Sequence, residues 1–571
     1  MIVQLLLCLA LAYLTWSLAA MEINYQRASS MGIPLVRLPV DPINIIWILL
    51  EPTLWRLLDH LPVDWGTFGR YSRRGWHFHD KAKSHLQYGP AWALVSPRDI
   101  YVYVADPDAI HDIFMRRGDF QRPSKMYKLL EVYGPCISTA SWTDWPRHRK
   151  VLATPFNESI MSFVWKESLK QTREMLQSWI SSTESGISSV AKDTRTLSLN
   201  VLAATGFNQS YEFRSSSHEE SNEASTYRDA LQKVLDNAIL LMLVPPRILL
   251  LPAMPRSWAR LGKAAAEFKQ YMVHMLDQER SLMDRGEQGT GSLMTSFVRA
   301  LGTHKKEEAT AKAKEDQQFK GLTVDEIFGN IFVINFAGHD TTANTLAFSM
   351  LLLAANPEVQ DWVGEEVRAY TFNDHSENWD YTQVFSRLKR CRAVLLETLR
   401  LYPPILALPK WTNEFPQTLR MGDRTITIPP LTGVMPSLLT VQTHPKYWQD
   451  PLHWQPSRWI SHSMASVVEH SEKTDLSTRL HQEKLVEHKQ STYFPWSDGP
   501  QNCPGAKFAQ VEFVAVLACI LRDHRVGVIQ EPGESADMAA KRALTTTEDC
   551  DLELLLRMRN ADNVHLECRR V

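Results

Sequence analysis

Residues 494–508 read FPWSDGPQNCPGAKF. A single cysteine, Cys503, stands in a turn dense in glycine and proline. Gly499 precedes it by four positions and Gly505 follows it by two, while Pro500 and Pro504 stiffen the backbone between them. A helical pattern of apolar residues starts at once with Ala506, Phe508, Ala509, Val511 and Phe513. A rigid loop that bares backbone N–H groups toward a sulfur, with a helix N-terminus behind it, suits a thiolate that ligates a metal. The competing reading is a structural turn that holds a free cysteine. The rest of the chain decides between them.

The 571 residues are 44% hydrophobic and 22% charged, with a net charge near -2. That length fits one large domain or several ordinary ones, and the charge balance gives no support to nucleic-acid binding. The 7 cysteines are scattered and form no CxxC pair, so neither a disulfide framework nor a zinc site is indicated. Reduced, cytosol-facing thiols are expected.

Residues 2–20 are apolar apart from Gln4, Thr15 and Ser17. As a helix they would span about 28 Å, close to the hydrocarbon thickness of a bilayer. No Lys or Arg precedes the run, as a cleaved signal peptide would require, and Arg27 and Arg37 follow it. The expectation is a transmembrane anchor over residues 1–21, a linker and membrane-proximal segment over 22–87, and a catalytic domain over 88–571. A second apolar block, residues 43–50, ends at Glu51 and Pro52 and is too short to span; it reads as a membrane contact or as packed surface. Residues 92–95 and 100–104 read as a strand pair around a four-residue turn.

Further along, SWTDWPRHRKVLAT (141–154) places Trp145 and Arg149 on one face of a helix, with Pro146 tolerated in its first turn. Residues 194–207 and 227–243 read as amphipathic helices, with a flexible loop at 214–225. The prolines of VPPRILLLP (244–252) frame three leucines, and residues 248–251 are a candidate membrane contact or a patch buried on its own helices. The charge run 304–318 reads as solvated. Residues 328–353 form a long apolar helix that carries AGHDTT at 337–342. Ala337 and Thr341 share one side of it, Gly338 would let a flat cofactor approach the backbone, and Asp340 with Thr341 would relay protons. In RLKRCRAVLLETLRLY (387–402), Glu397 and Arg400 stand three apart among leucines, so their burial demands a further partner, which Arg458 in WQPSRW (454–459) supplies. Residues 405–408 are candidate pocket residues, 415–430 a hairpin, 461–491 a surface insertion, and 544–557 a terminal strand pair before a loose tail.

These motifs, in this order, resemble the cytochrome P450 family. Its haem-binding loop, FxxGxRxCxG, is matched by Trp496, Gly499, Gln501, Cys503 and Gly505, with Trp for the usual Phe and Gln for the usual Arg. The resemblance covers residues 88–557. It implies a mainly helical fold with a small β region and a haem b whose iron takes the Cys503 thiolate, which favours O–O cleavage. It also implies that Trp145 and Arg149 reach a haem propionate, that Ala337 and Gly338 lie against the cofactor, and that Asp340 and Thr341 serve oxygen activation. Glu397, Arg400 and Arg458 become a structural triad. No dinucleotide-binding glycine loop occurs, so electrons must come from a partner. The family implies a membrane-bound NADPH-cytochrome P450 reductase, with cytochrome b5 as a second donor, at the endoplasmic reticulum membrane. Arg387, Lys389, Arg390 and Arg392, with Arg147 and Lys150, form the expected docking surface. The expected reaction is monooxygenation of a hydrophobic small molecule in specialised metabolism. The alternatives are sterol or fatty-acid hydroxylation, a haem-thiolate isomerase, and a haem-binding scaffold without activity.

Overall fold

The apolar run of the AGHDTT segment becomes the middle of a 32-residue helix, Val324–Ala355. Thr323 and Glu326 close a capping box at its start, Asp325 and Glu326 complement the helix dipole, and Asn356 with Pro357 ends it. Apart from a short stretch near Ala337 this helix is almost wholly buried, because other helices surround it. Val190–Phe207 and Ala536–Glu548 pack along it, and Glu158–Ser181 packs against Ala506–Asp523, the helix that leaves the cysteine loop. The computed structural model describes the chain except residues 1, 182–185, 188, 215–226, 288–291, 312–319, 372–374, 462–474, 487–490 and 553. Most of the loop at 214–225, the end of the charge run, and most of the insertion at 461–491 therefore lie outside the described residues.

The β region is a six-stranded sheet in the order Leu35–Arg37, Ala91–Val95, Ile100–Val104, Gly433–Pro436, Lys410–Thr412, Phe120–Gln121. The strand pair expected at 92–104 is present, antiparallel, with Ala93 opposite Val102. The hairpin expected at 415–430 is present as Gln417–Met421 against Arg424–Ile428, turning at Gly422, whose φ of +57 favours glycine. At the sheet edge Phe120 faces Thr412 and Gln121 faces Trp411, so the register carries Arg122 toward Lys410.

Four expectations are corrected. Among the described residues no helix is long and apolar enough to cross a membrane, so the anchor expected at 1–21 is not supported. The segment is helical, but the helix runs from Ile2 to Ser29 and its last third is polar and tied to the sheet. Asn24 donates to the carbonyls of Ser96 and Pro97, and Ala28 is fully buried. The second apolar block does not stop at Pro52; Ile45–Leu58 is one helix through it, capped by Asn44. The helix expected over 227–243 breaks at Asn237 into Tyr227–Asp236 and Ala238–Leu243. The loose tail is a strand, Leu566–Arg570, antiparallel to His524–Val528, with Leu566 and Cys568 turned inward.

Candidate functional site

The cysteine loop is held by its own backbone. Cys503 N–H donates to the Trp496 carbonyl at 2.9 Å and Asn502 N–H to the Gly499 carbonyl at 3.2 Å. Gly499 has φ +66, and a Cβ there would stand 2.7 Å from the Phe114 carbonyl oxygen, so both conformation and space demand glycine. Gly505 is different: a Cβ on it would make an ordinary 3.9 Å contact with Cys503 Sγ. The thiol is exposed on the loop. Its desolvating surroundings push its pKa up, against the Gly505 N–H and the positive charge of Arg149. Coordination to a metal removes that proton.

Three cations converge behind the sulfur. Arg149 donates to the Asn502 carbonyl at 2.8 Å and to Asn502 Oδ1 at 2.7 Å. Lys410 Nζ donates to Gln501 Oε1 at 3.0 Å, and Arg122 reaches the Ile137 carbonyl at 3.2 Å and the Gln501 carbonyl at 3.5 Å. Burial lowers the proton affinity of all three, and with Arg122 nearby it brings Lys410 down to about 7. Among the described residues none of the three has a carboxylate partner. Unpaired buried cations are costly. A cysteine able to ligate iron and three cations able to meet two carboxylates suit a haem b with its propionates, so the residues fit that cofactor. Gln501 thus takes its place in the cation cluster by accepting from Lys410. Arg122 and Lys410 escaped the sequence reading because Arg122 follows the strand Phe120–Gln121 while Lys410 opens its neighbour Lys410–Thr412, although a lysine two positions after the apolar residues 405–408 was a usable sign. Trp145 is buried at the start of the helix Trp145–Ala153, with the Arg117 guanidinium 5.2 Å from its ring. Trp496 is half-buried against the helical core.

On the long helix, Ala337 is exposed and Phe336, Gly338 and Thr341 are half-buried while His339, Asp340 and Thr342 are buried, so one short stretch is open. The Thr341 hydroxyl donates to the Ala337 carbonyl at 2.9 Å, and Thr345 and Ser349 repeat the pattern at four-residue steps. Gly338 does not turn to the face of Ala337 and Thr341. A Cβ there would lie 3.1 Å from Leu202 Cδ2, so its missing side chain serves helix packing rather than cofactor approach. Asp340 is buried on another side. It pairs with Arg195 at 2.7 Å and with Arg557, and His339 Nε2 lies 3.2 Å away. Burial would raise its pKa; His339 and the two arginines override that and hold it far below the usual carboxylate range.

Glu397 and Arg400 are both fully buried and paired through two bonds of 2.8 and 2.9 Å. Glu397 also accepts from Arg458 Nε at 3.0 Å, Trp459 Nε1 at 2.9 Å and Gln455 N–H at 2.9 Å. Arg400 spends its remaining donors on the carbonyls of Gln442, Pro451 and His453. The three residues thus meet in one network.

The expected docking surface is largely not a surface. Arg390 is buried and paired with Glu483 at 2.7 Å and Glu365 at 3.2 Å, Lys389 Nζ donates to the carbonyls of Leu480 and Glu483, and Arg147 bridges Asp144 and Glu326. Of that set Arg387 and Lys150 are exposed. In the candidate pocket segment Leu406 is buried, whereas Ile405 is exposed at 42%.

A family model described as Cytochrome P450 matches residues 63–551. A cytochrome P450 monooxygenase of Arthrobotrys oligospora is 26% identical over 97% of this chain and 96% of its own. A cytochrome P450 monooxygenase of Leptosphaeria maculans, described as belonging to a phomenoic acid biosynthesis cluster, is 29% identical over 90% of each. Among solved structures, the haem domain of cytochrome P450DA superposes with a TM-score of 0.65 at 18% identity, covering 89% of this chain and 96% of that one; that likeness bears on the fold. With the cysteine loop, the open face on the long helix and the cation cluster in place, the chain belongs to the cytochrome P450 family of haem-thiolate monooxygenases.

Proposed function

We propose that this enzyme inserts one atom of dioxygen into a hydrophobic small molecule in specialised metabolite biosynthesis. The observation that carries the cofactor side of this reading is the convergence of Cys503 with three cations that have no carboxylate partner among the described residues. Cys503 would hold the iron, and Arg149, Lys410 and Arg122 would hold the propionates, with Trp145 and Trp496 packing beside them. When bound, the haem supplies dioxygen activation and oxidising power. The chain supplies the rest. Ala337 and Thr341 form an open, otherwise dry wall, and the Thr341 hydroxyl is free to turn from the Ala337 carbonyl to a substrate-side acceptor. Asp340 keeps a negative charge beside that wall. Its proton-relay role requires release from Arg195 or Arg557, both of which lead toward solvent.

The relative described as belonging to a phomenoic acid biosynthesis cluster favours a role in specialised metabolism over the alternative of housekeeping sterol or fatty-acid hydroxylation. The family implies a reductase as electron donor. We place that reductase, and this enzyme, at a membrane surface. Support comes from the exposed side chains of Leu11, Leu14, Trp16 and Leu18 on the first helix, and of Ile46, Leu49 and Leu50 on the second. Carbon monoxide difference spectra of the reduced protein test the cofactor assignment. A strongly red-shifted Soret band in the wild type, absent in Cys503→Ser, is expected; a histidine-type band indifferent to the substitution overturns it. Product formation that needs no NADPH and no reductase would point instead to the isomerase reading.

A further inference from the structure

The loop at residues 131–140 is fastened to the long helix by contacts that the haem-binding set does not include. Gly134, at φ +146, and Gly329 meet backbone to backbone. A Cβ on Gly134 would stand 2.2 Å from the Asp325 carbonyl oxygen, and one on Gly329 would stand 2.2 Å from the Gly134 oxygen. Beside this contact, Asn330 Oδ1 accepts the Ile137 N–H at 2.8 Å, and Asn330 Nδ2 donates to the Glu326 carbonyl at 2.7 Å. A backbone N–H is only a donor and a carbonyl only an acceptor, so these two partners fix the orientation of the amide. The same Nδ2 lies 3.0 Å from His148 Nδ1. Nδ1 must then be the acceptor and carry no proton.

The other side of the ring pulls the opposite way. His148 is fully buried, and its Nε2, which carries the proton, meets no acceptor in good hydrogen-bond geometry among the described residues. It points at Glu326 Oε1, 3.4 Å away, and Asp144 Oδ2, 3.6 Å away. Arg147 spans both carboxylates, which leaves the cluster one positive charge short of neutral. Burial disfavours the imidazolium, but the two carboxylates outweigh it and raise the proton affinity of the ring. The charged groups facing the ring are Asp144 and Arg147 from its own helix and Glu326 from the long helix. The helix Leu293–Ala311 packs alongside and approaches with the backbone of His304 at Gly321, whose carbonyl accepts from Arg147. The loop brings Cys136, whose thiol burial keeps protonated. Ile137 is the joint of the arrangement: Asn330 holds its N–H, and Arg122, which also reaches the cysteine loop, holds its carbonyl.

We propose that Asn330 is a positioning residue that clamps residues 134–137 to the long helix only while His148 Nδ1 is unprotonated, so that protonation of His148 releases this loop. An imidazolium would set a donor against the donor of Asn330; the amide must turn away, and the Ile137 N–H loses its acceptor. Any consequence for the reaction rests on the proposed function. The clamp itself does not, and it is tested without turnover.

Hydrogen–deuterium exchange of the haem-loaded full chain, corrected for the intrinsic pH dependence of exchange, reads the peptide that contains Ile137. In the wild type its protection is expected to fall about tenfold between pH 9 and pH 6. In His148→Gln the side-chain carbonyl accepts from Asn330 at every pH, and protection is expected to stay high and flat. In Asn330→Ala it is expected to be low and flat. Flat protection in the wild type, or an undiminished pH response in His148→Gln, overturns the proposal. If Asn330→Ala fails to load haem, the glutamine variant alone decides.

Discussion

Lys410 is 3% exposed and has no carboxylate to balance it among the described residues, which makes it a reporter of cofactor loading. Its folded pKa, depressed by burial to about 7, lies below the unfolded value of about 10.4. Between those values the unfolded chain binds the extra proton, so the cofactor-free protein gains stability as pH rises from 7 toward 10, by at most about 4 kcal/mol. Denaturant midpoints across that range should show the rise in wild type and lose it in Lys410→Met. A bound propionate restores the charge, so haem binding takes up a proton. Haem affinity, read by titrating the cofactor-free protein, should weaken above pH 7 and become flatter in the methionine variant. Glu397 makes a second prediction. Its carboxylate accepts five bonds, four of them from Arg400, Arg458 and Trp459. Glu397→Gln leaves a buried guanidinium short of charge, and the folded state should lose about 3–5 kcal/mol, seen as a lower urea midpoint and poor haem yield.

The cysteine loop and the helix that follows it separate two glycines that the motif treats alike. Gly499→Ala forces a left-handed residue into the Phe114 carbonyl and should cost about 1–3 kcal/mol, with loss of haem incorporation. Gly505→Ala adds a methyl at ordinary contact distance and should load haem normally, as Soret absorbance per protein would show. The sequence made the loop, the long helix and the ion-pair network legible because each is local: a short span of residues carries the chemistry, and burial follows from the leucines around it. The hairpin at 417–428 was legible from its alternation and its Gly422 turn. Lys410–Thr412 was not, since three residues led by a lysine show no period. Leu566–Arg570 was missed because two inward residues among Glu and Arg read as polar. Arg149 was named from its motif, but Arg122 and Lys410 were missed because the three meet only through sheet register and helix packing.

Three segments carry runs of exposed apolar side chains. The first helix shows Leu11, Leu14, Trp16 and Leu18; the Ile45–Leu58 helix shows Ile46, Leu49, Leu50 and Leu57; and the segment around Pro246–Leu249 shows Ile248, Leu250 and Leu251. Leu249, between them, is fully buried and fixes the last segment to its helix. Each exposed leucine transferred from water contributes about 1.5–3 kcal/mol. Vesicle co-sedimentation should therefore fall about tenfold or more in Leu49→Asp/Leu50→Asp and in Leu250→Asp/Leu251→Asp. Unchanged binding in both would place the membrane contact on the first helix. A reading from hydropathy alone found the apolar runs and assigned the first to a bilayer crossing, because it could not see that the same helix continues to Asn24 and Ala28, where it packs on the sheet.

The apposition of Gly134 and Gly329 also sets a rule for anyone diversifying this enzyme. Two backbones in contact leave no room for drift at either position, and a change at one cannot be rescued by a change at the other. A mutant library aimed at new substrates should therefore hold 134–137 and 329–330 constant. Selection of active clones from a library that ignores this rule should return glycine at both positions.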